Sequence, residues 1–93
     1  MEGLESAGKA PAPVVLGLEL ERQLRLAENH YAEARHAAEQ ARDELRALTT
    51  QKVQRPASIQ ASRAKFQAVV ARCSRLLQII DHLEERIESV EAG

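Results

Sequence analysis

Few residues in this chain could bind a metal, attack a carbonyl or move a proton. There are three histidines, His30, His36 and His82, one cysteine, Cys73, and an acidic run of Glu84, Glu85, Glu88 and Glu91. A metal site needs ligands at short spacing on one face, as in HExxH or CxxC, and neither motif occurs. The histidines do not share a helix face. Cys73 falls at an apolar position of a helical repeat, so it is expected as a small core residue rather than a nucleophile. The glutamates read as solvated helix surface. No glycine-rich phosphate loop is present. Arg55-Pro56-Ala57-Ser58 has the form of a basophilic kinase site. Such short matches arise by chance, and Ser58 also suits the N-cap of a helix.

Catalysis needs polar groups converging in a sheltered pocket. The elements that would have to build one are too few. Ninety-three residues make at most one small domain with a modest core. Phe66 and Tyr31 are the only aromatics, while Ala, Leu, Glu, Arg and Gln dominate, a composition of long helices and coiled coils. No enzyme activity, cofactor or metal is expected. Thirteen basic residues nearly balance fourteen acidic ones. That balance offers no strong field for nucleic acid or an anionic membrane, and stacking aromatics are lacking. No apolar run approaches the roughly 20 residues needed to span a bilayer. One cysteine allows no internal disulfide and fits a reducing compartment. The N-terminus lacks a basic start with an apolar core. A cytoplasmic protein is therefore expected.

Residues 1–13 (MEGLESAGKAPAP) read as a mobile, disordered tail rich in small residues and proline. From about Val14 to Leu48 helix formers dominate and Gly17 is the only break. TTQKVQRPAS, residues 49–58, interrupts the pattern. A second run free of glycine and proline follows to Val90. The expectation is helix 1 over about 14–48, a loop over about 49–57 and helix 2 over about 58–91. Ser58 is the expected N-cap of helix 2, with Pro56 in its first turn as the alternative.

Apolar spacing pairs the two runs. Leu20, Leu24, Ala27, Tyr31, Ala34, Ala38, Ala41, Leu45 and Leu48 step by fours and threes. So do Ile59, Ser62, Phe66, Val69, Cys73, Leu76, Ile80, Leu83, Ile87 and Val90, with Ser62 the one polar member. That spacing puts each set on a single helical seam. Folding one helix back on the other brings Leu48 to Ile59, Ala41 to Phe66, Ala38 to Val69, Ala34 to Cys73, Ala27 to Ile80, Leu24 to Leu83 and Gly17 to Val90. Small residues face large ones, which keeps the layer volume even. Glu44 and Lys65 then lie across the interface. The predicted fold is all-α, an antiparallel two-helix coiled-coil hairpin. Its rival is a continuous helix, because the heptad phase survives through Lys52 and Arg55. That form would place two charges in the seam and Pro56 inside a helix, and proline alone costs about 3 kcal/mol there.

Some apolar residues are left over. Val70 and Leu77 sit beside the second seam, near Arg35 and Glu28, and Ile79 lies on the opposite flank. Val14, Val15, Leu16, Leu18 and Leu20 make a second cluster, either the first helical turns packed near Val90 or an extended segment that orders on a partner. Uncovered apolar strips mark binding or oligomer surfaces. Val70, Leu77, Ile79, Leu16 and Leu18 are therefore the candidate partner-binding residues. The basic loop end, with Arg42, Arg46, Lys52, Arg55 and Arg63, reads as a solvated tip.

The hairpin layout, the stretch FQAVVARCSRLLQIIDHL from Phe66 to Leu83 and the short length resemble the small co-chaperones of bacterial type III secretion needle subunits. The resemblance spans residues 20–88, without a diagnostic motif. The N-terminal tail and the loop are longer than that family's pattern. It implies a hairpin that pairs with a second chaperone and shields an aggregation-prone helical subunit. The expected function is a small adaptor or co-chaperone-like module that binds partner helices. The alternative is a self-associating coiled coil, either a four-helix bundle of two hairpins or a parallel dimer of long helices.

Overall fold

A computed structural model describes residues 13–92. The expected tail lies almost wholly outside them, with only Pro13 described. The described residues form two helices, α1 (Pro13–Thr49) and α2 (Pro56–Ala92), each of 37 residues. At 1.5 Å per residue each is about 55 Å long. They pack against each other as an antiparallel hairpin, so the predicted fold class is borne out and a continuous helix is not formed.

The seam is the predicted one. Along α2, every residue from Ile59 to Val90 at the expected seam positions is buried or half-buried, and every other one is exposed. Along α1, Leu20, Ala27, Ala34 and Ala41 are buried, and Leu24, Tyr31, Ala38, Leu45 and Leu48 are half-buried. Two contacts fix the register at its ends. Lys65 Nζ donates to Glu44 Oε2 at 3.3 Å near the loop. At the open end, a Cβ built on Gly17 would lie 3.8 Å from Val90 Cγ1. With both ends held, the layers between them follow the expected pairing. The largest apolar cluster unites Leu20, Ala27, Ile80 and Leu83 with Leu16, Leu24, Tyr31, Ile87 and Val90.

The boundaries differ from the sequence expectation, and local chemistry explains why. α1 runs to Thr49 because side chains take up its last carbonyls. The Thr49 and Thr50 hydroxyls donate to Arg46 O at 3.0 Å, and Gln54 Nε2 donates to Thr49 O at 2.8 Å. Arg46 O also accepts from Thr50 N at 3.1 Å, and the carbonyls of Ala47 and Thr49, which the helix end leaves open, are taken up by the Thr50 hydroxyl at 3.2 Å and by Gln54. The turn needs no left-handed residue: no positive φ occurs among the described residues. α2 starts at Pro56, two residues before the expected cap. Arg55 O accepts from Ile59 N at 3.0 Å, so Pro56 takes the first helical position, where its missing N–H costs nothing. Ser58 is thus inside the first turn and does not cap it.

At the other end, α1 is helical through Gly17, so the Val15–Leu20 cluster is its first turns rather than an extended segment. No helix among the described residues is long and apolar enough to cross a membrane.

Candidate helix-docking surface

Two lateral edges flank the seam. One carries Val70 and Leu77 on α2 with Glu28 and Arg35 on α1. The other carries Lys65 and Ile79 on α2 with Glu44 on α1. Helix periodicity alone creates this division, since residues next to the seam point to one side or the other.

On the first edge Val70 is 41% exposed and Leu77 42%. Val70 lines a shallow groove with Arg35, Ala38, Glu39, Arg42 and Phe66. Arg35 is the neighbour foreseen for it, and its stem leaves the valine partly open. The Arg35 head turns along its own helix toward Glu39, at 4.0 Å in an exposed pair. Such a pair contributes a few tenths of a kcal/mol at most, so it does not tie the arginine down. Leu18 lies on the outer flank of α1 toward the open end and is 61% exposed.

On the second edge Ile79 is 48% exposed. It lines another open groove with Gln23, Arg75, Gln78, His82, Leu83 and Arg86. Leu26 of α1, 53% exposed, was not singled out from the sequence. Carrying the heptad lettering out to the positions two steps from the seam finds it. Val53 at the loop tip is also exposed, beside Lys52 and Arg55.

Leu16 stands apart from the other candidates. It is half-buried and packs on the hairpin's own cluster beside Val90 and Ile87. Its apolar surface is therefore used largely within the monomer. The structure brings Val70 and Leu77 together on one edge and leaves Ile79 on the other and Leu18 at the open end, so the five residues make no single patch.

Cys73 is half-buried in the seam, opposite Ala34. Among the described residues no three His, Cys, Asp or Glu side chains are grouped to hold a metal ion. Among the described residues, the one buried side-chain polar atom without a hydrogen-bond partner is Ser62 Oγ, in the seam near Leu45. Compared with known proteins, the chain matches no family model, no curated protein and no solved structure at a significant level.

Proposed function

We propose that this chain is a helix-binding interaction module, with α2 presenting Val70 and Leu77 to a helix of another protein chain. One observation carries the reading: the seam residues are buried or half-buried along both helices, yet two large apolar side chains seven residues apart stay exposed on one edge. Seven residues is two helical turns, so both point the same way and are about 10 Å apart. That spacing suits the apolar stripe of a partner helix. Both stand on one continuous helix packed against the other, which limits the backbone entropy lost on docking. A co-chaperone-like role in a reducing compartment such as the cytoplasm is one form of this reading, supported by the hairpin layout and the single cysteine.

The test is site-specific photo-crosslinking in the native host, with a photoreactive phenylalanine analogue at position 70 or 77. Positions 64 and 71, exposed alanines on the outer face of α2, serve as controls. Crosslinks to a helical segment, several-fold stronger at 70 and 77 than at the controls, are the expected result. Equal yields at all four positions would remove the strip as a docking site.

A further inference from the structure

The first edge has a second property besides its exposed valine and leucine. The register sets its side chains in four rungs, each with one residue from α1 and one from α2, spaced by two helical turns. From the loop outward they are Arg42 with Arg63, Arg35 with Val70, Glu28 with Leu77, and Glu21 with Glu84. The outermost rungs juxtapose like charges within the hairpin. No ion pair among the described residues joins α1 to α2 on this edge; the cross-helix pair, Lys65 with Glu44, is on the other. The charges placed here pair only along α1, in the exposed contacts Arg35–Glu39 and Arg42–Asp43, and do nothing to hold α1 to α2.

The order of rungs is antisymmetric about the middle. A half-turn about an axis between the two central rungs lays basic Arg42/Arg63 on acidic Glu21/Glu84. The same rotation lays Arg35 on Glu28 and Val70 on Leu77. The next positions outward on α1 obey the same rule, with Arg25 falling on Glu39 and Ala32 on itself. On α2, Ser74 falls on itself and Gln67 on Asp81. Both residues at the axis, Ala32 and Ser74, are small and exposed, so the backbones can approach.

We propose that this edge is the docking site for a second copy of the chain, related by that two-fold rotation, with the loops pointing in opposite directions. This deepens the helix-binding reading and rests on it, since Val70 and Leu77 form the apolar centre. An isologous contact must be complementary to itself, and this edge meets that condition rung by rung. Val70 and Leu77 supply little area, so the dimer is weak. Opposed charges set its orientation more than its strength and make it salt-sensitive. The second edge lacks this logic, because its charge complement is already met across the seam by Lys65 and Glu44.

Sedimentation equilibrium on the full chain at low salt tests the proposal, with R63E and E84R made separately. Each single substitution puts like charges across the two-fold axis, and dimer dissociation should strengthen by about tenfold or more. Within the hairpin each does the opposite, giving Arg42 or Glu21 an opposite neighbour, so helicity and thermal stability are kept. Mixing the two variants restores opposite charges at every outer contact, and a one-to-one heterodimer should form. A wild-type chain that stays monomeric at every concentration overturns the proposal, as does a dimer indifferent to both substitutions or a mixture that fails to associate. A monomeric wild type that still crosslinks to a different protein through positions 70 and 77 leaves the helix-binding reading standing and removes only self-docking. Absence of position-specific crosslinks together with an intact dimer insensitive to V70E/L77E removes both.

Discussion

Toward the open end, the layers set Leu20 against Ile87, Leu24 against Leu83 and Ala27 against Ile80. Toward the loop, Ala41 meets Phe66, Ala38 meets Val69 and Leu45 meets Ser62. The open half holds the continuous cluster of large aliphatic side chains. The loop half fully buries only alanines and an unpartnered hydroxyl, while Phe66, Val69, Leu45, Leu48 and Ile59 are half-buried. Chain connectivity accounts for the contrast. Near the loop only six residues separate the helices, so closing that part of the hairpin costs little entropy. Far from the loop, only side-chain burial holds the helices together, and that is where the aliphatic residues are concentrated.

Breaking the open half should therefore have the largest effect. Leu83→Ala removes a buried side chain from the centre of the cluster, at a cost of about 2–4 kcal/mol. For a hairpin this small, that is much of the total stability. Thermal denaturation followed by circular dichroism should show the loss. Hydrogen exchange should show the open end fraying while amides near Ala41 and Phe66 keep more protection. An equal loss of protection at both ends would mean that the halves do not differ in the way described.

The loop half offers the converse. Ser62→Ala removes a buried hydroxyl without a partner and favours the helix, so it should stabilise by about 1 kcal/mol. A raised melting temperature would confirm it, and a lowered one would show that the hydroxyl is satisfied in solution. The smallest effect is expected at the far tip of α1. Gly17→Ala gains helix propensity, up to about 1 kcal/mol, and its new methyl meets Val90 at an ordinary contact distance. Denaturant midpoints should move up slightly, with unchanged slope.

Much of this fold was legible in the sequence, because a seven-residue repeat encodes a seam directly. Ala34 opposite Cys73 and Glu44 opposite Lys65 followed from size and charge once the helices were folded back. The ends of the helices were harder to read. Thr49 and Thr50 look like breakers by composition, yet their hydroxyls prolong α1 by bonding back to Arg46 O. Ser58 has a capping side chain, but Pro56 starts α2 first. The exposed apolar residues were legible in part. Val70 and Leu77 are exposed as expected, whereas Leu16 packs inward because the first turns of α1 are helical and bring it against Val90. The alternation of rungs was present in the sequence too. It becomes visible only when the flanks of both helices are read as one surface.

Pro56 also decides the length of the molecule. The seven-residue phase passes unbroken through the loop, so α1 and α2 are two stretches of one potential rod. Helix throughout residues 13–92 would reach roughly 120 Å, about twice the present span. The proline ring, with the threonine and glutamine side chains that close α1, separates a short folded strut from a long continuous helix. Few residues hold that choice, so a handful of substitutions between Thr49 and Pro56 would suffice to change the reach of the protein without touching its seam.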